Sequence, residues 1–447
     1  MPTIIGIIIF CYGAYFFFCK EDSLLGLLLI ASVFQAASAI NIAERGIQPY
    51  YIVAMFIIVR ALVNRVLGKR SNTAMPQGRW LLIFGAIAIA SAFVLPIIFA
   101  GTPIYDPKIG IDDGLFIRPQ LKLNLNNVVQ SGYLACHIAT AFALLSLKFS
   151  AAKTRRAYLW VFYIEVFFVS AESFCQLVGI PFPLSLILNN PGYALWDLTE
   201  EAYGTRNPGT FSEPSLAGAL LVLYCVGFLA EYLARRRSTV HVIVALVASG
   251  LVASSSSMLT LCLFPFVLLI RYSPFRFPWY INLRQARRIA WILFLLVTPL
   301  VLVLLFASGY REILTGLTVS KGESGSFINR TAADLYSLQL LLRTHGLGVG
   351  LGSNRSSSLV TTLVSNVGVA GTLLFFVFYC KLFANLPEEY GWFKWAGFAL
   401  LLNMCLGIAD VTMPLLWVPI LLAVQFSSGN MPVRRKPNGT NLALVHI

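Results

Sequence analysis

The sequence predicts an all-α polytopic membrane protein, and three observations predict it. Over 447 residues the mean hydropathy is +0.77, with 58% hydrophobic and only 12% charged residues, which is too much apolar sequence for a soluble core. Apolar runs of roughly 15–24 residues, each long enough to cross a bilayer, recur about thirteen times. Lysine and arginine gather in every second loop between those runs, the pattern that membrane topology imposes on positive charge.

In chain order the expected spans, 12 or 13 in all, lie near residues 3–18, 24–43, 49–67, 80–100, 129–149, 157–179, 215–234, 239–254, 256–271, 288–308, 359–382, 394–410 and 412–427. The first run has no basic leader and no small-residue cleavage site, so it reads as a short retained span. Val240 to Ile270 fits either one long tilted helix or two short ones broken at Ser254-Ser-Ser-Ser257. Pro214 suits the first turn of the span that follows it, with Ser212 or Glu213 in the cap region.

One set of loops carries Lys69 and Arg70, then Lys148, Lys153, Arg155 and Arg156, then Arg235-Arg-Arg237, then Arg271 to Arg288, and ends at Arg434-Arg-Lys436. These are the cytoplasmic loops by the positive-inside rule, and the stretches 101–128, 180–214 and 309–358 then face outward. The chain 1–447 reads as a single integral membrane domain with a cytoplasmic tail over 428–447. The three outward loops are its longest polar stretches, and loops of that length usually carry function. The net charge of +14 follows from this topology. It needs no nucleic-acid partner, since no basic face interleaved with aromatics occurs in a soluble segment. Eight cysteines fall in or beside apolar runs without a CxxC pair, so they read as buried thiols.

The stretch Arg311 to Gly371 is the most informative. Residues 331–344 read as a short amphipathic helix, with Leu335, Leu338, Leu341 and Leu342 at helical spacing and Thr331-x-x-Asp334 as a capping box at its start. Arg330 then precedes a helix N-terminus, a place the macrodipole makes poor for a cation unless an anion lies between. Two readings compete: a site for a phosphate-bearing ligand, or an arginine reaching lipid phosphates. The glycines of Gly348-Val-Gly-Leu-Gly-Ser-Asn-Arg355 would allow close approach of a ligand, and Arg355 adds a second cation. Gly368-Val-Ala-Gly371 closes the stretch.

The second stretch is Arg206-Asn-Pro-Gly-Thr-Phe-Ser-Glu-Pro-Ser215. Glu213 is explained by the helix dipole, or it is a carboxylate available to take a proton from an attacking hydroxyl. Arg206, Arg330 and Arg355 are therefore three outward arginines on loops flanking spans, and arginine is the natural donor to a diphosphate. Stabilising the charge that develops on such a leaving group is often the largest catalytic contribution. There is no DxD, no HExxH and no outward Cys/His cluster, so the expected reaction uses no metal and no other cofactor. Arg60, Glu165, Glu172, Asp410 and His137 lie within apolar runs, where charge marks function by default, although a bundle-internal Arg–Glu pair is equally natural.

These residues resemble the O-antigen ligase and Wzy-type polysaccharide polymerase superfamily, bacterial inner-membrane glycosyltransferases. Arg206-x-x-Gly209-x-Phe211-x-Glu213-Pro-Ser is similar to one motif of that family. Arg330, then His345-Gly-Leu-Gly-Val-Gly-Leu-Gly and Gly368-x-x-Gly371, is similar to its long periplasmic loop and the span after it. The resemblance covers roughly residues 200–427 in motif order and spacing, and the earlier spans match only in hydropathy.

The resemblance implies an undecaprenyl-diphosphate-linked glycan as donor, its diphosphate held by Arg206, Arg330 and Arg355 at the periplasmic face of the inner membrane. An acceptor hydroxyl would invert the anomeric carbon and release the lipid diphosphate, with Glu213 or His345 as the catalytic group that orients or deprotonates it. Where the ligase branch has a histidine about eleven positions before Gly-x-x-Gly, this chain has Ser357. That departure favours a polymerase of lipid-linked repeats over a ligase acting on lipid A–core. The partners implied are the lipid-linked glycan as both donor and acceptor, membrane lipid and a chain-length regulator. A transporter or flippase of the same lipid-linked glycan is the reading from a different class.

Overall fold

The computed structural model describes residues 1–42, 45–68, 75, 77–105, 118–183, 187–191, 207–234, 239–272 and 325–428. The expected span 288–308, Arg206 and the tail beyond residue 428 lie outside the described residues. Within them the chain is an all-α polytopic membrane protein. Thirteen helices are described: α1 (Ile4–Cys19), α2 (Leu24–Val33), α3 (Pro49–Val66), α4 (Gly78–Ile98), α5 (Leu125–Leu145), α6 (Ala151–Val178), α7 (Pro214–Leu233), α8 (Val240–Val252), α9 (Ser255–Tyr272), α10 (Gly325–Arg343), α11 (Leu359–Ala384), α12 (Gly391–Gly407) and α13 (Pro414–Ser427). Six of them, α3 to α7 and α11, are long and apolar enough to cross a membrane, and α1, α8, α9 and α13 are shorter apolar helices.

Helix α7 is the hub. It packs along α12, α8 and α9, and 89% of its most apolar window is buried, against 28–50% for the other five long helices. A second layer pairs α4 with α11 and α5, and α3 with α5 and α1, while α6 lies on α2 and α8. One continuous apolar core runs from Ile9 to Phe426.

The structure differs from the sequence reading at one span. The expected span 24–43 is helical only to Val33. Beyond it the polar residues Gln35, Ser38 and Asn41 take the chain into a two-stranded hairpin, β1 (Ile40–Ile42) with β2 (Arg45–Ile47), pairing Ile40 with Ile47. Thr3 N donates to Ala39 O at 3.0 Å and Ser38 N to Asn189 Oδ1 at 2.8 Å, so the hairpin caps the start of α1. Of the two forms expected for 240–270, the chain takes the two short helices, separated where Ala253 adopts a left-handed conformation (φ 50°).

The helix ends sort into two sets. One end, here the loop end, gathers the hairpin, 99–105, 118–124, 207–213, 253–255, 344–358 and 408–413. The opposite end is tied by three ion pairs: Arg60–Glu21 at 2.7 Å, Lys153–Asp22 at 2.5 Å and Arg155–Glu231 at 2.7 Å. Arg60 is thus paired, with a partner at the end of the bundle rather than inside it. The Arg155 guanidinium also lies 4.4 Å over the Trp392 ring and 5.4 Å over Tyr158, joining α6, α7 and α12. Both members of the Arg155–Glu231 pair are largely buried, and removing one leaves an uncompensated charge at a cost of about 3–5 kcal/mol. Glu231→Leu is therefore expected to lower the melting temperature of the purified protein in detergent, and Arg155→Met together with Glu231→Leu to recover much of the loss. A double variant as unstable as the single one would show that the pairing is not what matters.

Candidate functional site

Two buried carboxylates organise the turn before α7. Glu165 and Glu172 lie two helical turns apart on α6 and both are buried. Glu172 Oε2 accepts from Gly209 N at 3.3 Å, while Glu165 Oε2 accepts from Thr210 N at 3.3 Å and Thr210 Oγ1 at 2.6 Å. Asn207 Nδ2 donates to Ser173 Oγ. Gly209 has φ +60°, and a Cβ there would sit 2.3 Å from Glu165 Oε1, so both conformation and space require glycine. The intramembrane carboxylates therefore hold the segment Asn207 to Phe211, and Phe211 is buried in the core. One oxygen of each carboxylate and Asn207 Oδ1 remain buried without a hydrogen-bond partner.

The turn delivers Glu213 to the N-cap of α7, with Pro214 in the first turn. The Glu213 carboxylate does not cap the backbone. It accepts from Ser215 Oγ at 3.1 Å and stays half-exposed at the loop end.

The stretch around Arg330 differs from its sequence reading. Helix α10 begins at Gly325, six residues before the expected start, so Arg330 stands inside it and the argument from a preceding N-terminus does not hold. Thr331 and Asp334 form no capping box for the same reason. Asp334 instead ties α10 to the start of α11: it accepts from Ser357 N at 2.8 Å, Ser357 Oγ at 2.6 Å and Thr361 Oγ1 at 2.7 Å.

The glycine run is also not an open cradle. Gly346, Gly348, Gly350 and Gly352 all have φ between +81° and +101°, and their alternation folds the run back onto α11. Helix α11 is broken at Gly368 (φ 69°, ψ −175°). At the break Val369 N donates to Gly346 O at 2.9 Å, Val349 N to Ser365 O at 2.7 Å and Gly350 N to Asn366 O at 2.9 Å. Gly348 N donates to Thr344 Oγ1 at 3.0 Å and Leu351 N to Ser91 Oγ at 3.3 Å. Asn366 Oδ1 accepts from Ser353 N and Asn354 N at 3.1 and 3.0 Å, and its Nδ2 donates to Asn354 O and Thr362 O at 2.9 and 2.8 Å. A run whose N–H groups are spent inside the protein has few left for a phosphate. Its role is to fix Arg355, whose backbone N donates to Tyr105 O at 2.9 Å.

Arg330 and Arg355 come to the same place, the break between α12 and α13. A Cβ on Gly407 would lie 3.9 Å from the Arg330 guanidinium and 3.5 Å from Ser256 Oγ. Three residues on, Asp410 feels the charge of Arg355, and its Oδ1 accepts from Thr412 N at 2.7 Å. Helix α7 closes against the same corner: a Cβ on Gly218 would lie 2.3 Å from Ser257 Oγ. The corner therefore gathers Arg330, Arg355 and Asp410, and α7 reaches it at Gly218, five residues past Glu213. His345 is elsewhere. It is exposed in the left-handed conformation that ends α10 (φ 53°), fifteen residues and thus about 22 Å along the helix from Arg330.

His137 is fully buried and satisfied, with Tyr50 Oη 2.9 Å from Nδ1, Thr412 O 2.7 Å from Nε2 and the Trp417 ring stacked on it at 4.8 Å. Asp334 was read from the sequence only as a capping residue, and Asn354 and Asn366 were given no role, although all three shape the site. The signal they offered was weak: amide and carboxylate side chains inside or beside apolar runs, where an unpaired polar group is costly.

Deleting the Asn366 amide should free four buried backbone partners. Asn366→Ala is expected to destabilise the protein by about 1–3 kcal/mol or more and to speed amide hydrogen exchange at Ser353 and Asn354 above that at Val349. Unchanged exchange at those two amides would remove Asn366 from this role. Gly209→Ala is expected to disturb the turn in the same way as Thr210→Val combined with Glu165→Leu, read as proteolytic sensitivity ahead of α7. No protein-family model matches the sequence, and no curated protein matches it.

Proposed function

We propose that the chain is a glycosyltransferase of the bacterial inner membrane that joins lipid-diphosphate-linked oligosaccharide repeats into a polysaccharide at the periplasmic face. The observation that carries this reading is the meeting of Arg330 and Arg355 at the α12–α13 break, beside the helix that the Arg206-to-Ser215 motif introduces. No hydrogen bond or ion pair engages the Arg330 guanidinium among the described residues. It lies on a half-buried side chain, a good donor for the oxygens of a diphosphate.

In this reading the acceptor hydroxyl attacks the anomeric carbon of the donor from the face opposite the diphosphate. The carbon–oxygen bond to the diphosphate breaks as the new glycosidic bond forms, and the configuration inverts. Arg330 and Arg355 stabilise the negative charge gathering on the leaving group. The hydroxyl proton passes to a carboxylate. Glu213 suits that task better than His345, because it heads the helix that closes on the arginine corner, and it is not consumed as a backbone cap.

The test is a reconstitution. Purified protein in detergent with EDTA is given a lipid-diphosphate-linked repeat unit, and the products are separated by length. The expected result is a ladder, reduced by about 10²-fold or more in Arg330→Ala and Arg355→Ala, lost in Glu213→Gln, and unchanged in Lys394→Ala at the opposite end. Transfer only when lipid A–core is supplied would make the protein a ligase. Donor binding with no new bond to either acceptor would make it a transporter.

A further inference from the structure

Helix α10 has two unlike faces. Ala333, Tyr336, Ser337, Leu340 and Thr344 are buried, and the apolar members pack on Ile104, Tyr105, Leu121 and Val349. The other face carries Ile328, Leu335, Leu338 and Leu342, exposed by 53, 57, 43 and 77%. Their spacing of seven, three and four residues makes one stripe along the helix. The stripe does not stop at the end of α10. Leu347 is 54% exposed, and Val369 and Leu373 on the membrane-crossing helix α11 are exposed by 45 and 60%. Val369 N donates to Gly346 O, so the two apolar surfaces meet.

The depth of the element is fixed by α4. Leu351 N binds Ser91 Oγ, and a Cβ on Gly350 would touch Ser91 O and Pro96. Ser91 lies seven residues before the end of the membrane-crossing helix α4 at Ile98, about 10 Å along its axis. The turn after α10 is therefore level with the last two turns of a span. Helix α10 descends toward that level: Asp334 binds Ser357 and Thr361, Asn354 joins Ser337 to Ser365, and Gly346 meets Val369. Irregular backbone at membrane depth has to find its hydrogen bonds within the protein, and the glycine run does so.

We propose that α10 and the turn after it are inserted into the bilayer leaflet at the loop end, and that acyl chains of phospholipid cover the Ile328–Leu335–Leu338–Leu342 stripe. The inference does not depend on the glycosyltransferase reading. The stripe is continuous with the lipid-facing surface of α11, and this continuity selects lipid over a second copy of the chain or water as the occupant.

The test uses the full chain in vesicles of phosphatidylcholine brominated at shallow or deep acyl positions, which quench nearby tryptophan. Leu342→Trp, Leu338→Trp and Ile328→Trp are compared with the parent, and Lys122→Trp, exposed near the start of α5, is the water-facing control. The expected result is that most of the fluorescence added at 342 and 338 is lost in brominated lipid, with the deep bromines more effective at 342 than at 328. The control is expected to keep its emission. Should Leu342→Trp not fold, as judged by gel filtration, Leu338→Trp reads the same face. Added emission that neither lipid quenches would overturn the proposal. So would a two-copy mass accompanied by protection from both lipids.

Discussion

The loop end depends on one exchange of backbone hydrogen bonds. In an unbroken helix the amide of Val369 would donate to the carbonyl of Ser365, one turn back. The break at Gly368 turns that amide to Gly346 O, and Ser365 O accepts Val349 N instead. Two stretches that cannot satisfy their own polar groups satisfy each other. Removing either would strand donors or acceptors away from water, where each costs free energy comparable to a lost hydrogen bond. The position of Arg355, the return of α10 and the seat of the glycine run on α4 and α5 all follow from that pairing. Asn126 Nδ2 and Asn127 Nδ2 complete it by donating to Gly352 O and Leu351 O at 2.7 and 2.8 Å.

The membrane architecture was legible because it rests on local composition. Among the described residues, runs of apolar residues became helices at nearly every expected place, and Pro214 marked the first turn of α7. Legibility ended where partners are distant in sequence. Nothing near Asp334 announces that its carboxylate will bind Ser357 and Thr361, and a capping box is the better local reading. The span expected to reach residue 43 failed for a similar reason. Apolar content continues past Val33, but the hairpin gains partners from α1 and from Asn189. Periodicity found the amphipathic helix and three of its exposed leucines, yet it could not say whether an apolar face meets protein or lipid. Of the site residues, Arg330 and Arg355 fall near one corner, and His345 does not.

Charge is divided between the two ends. At the opposite end three ion pairs tie the helices, and Arg155 is further enclosed by Trp392 and Tyr158. At the loop end four of the described acidic groups hold backbone: Glu165, Glu172, Asp334 and Asp410 each accept from main-chain N–H groups. Among the described residues, Asp410, engaged by Thr412, feels the charge of Arg355.

The central place of α7 bears on how the protein is made. Its neighbours α8, α9 and α12 all follow it in the chain, the last by some 160 residues. When α7 leaves the ribosome most of the surface it will bury has no protein to meet, so its first surroundings are lipid. Its mean hydropathy of 1.9 makes that provisional state tolerable. The charge on Glu231 would not be, but its partner Arg155 lies on α6 and has already been synthesised. Assembly can therefore proceed with α7 neutralised from behind and enclosed from ahead, association of preformed helices following their insertion.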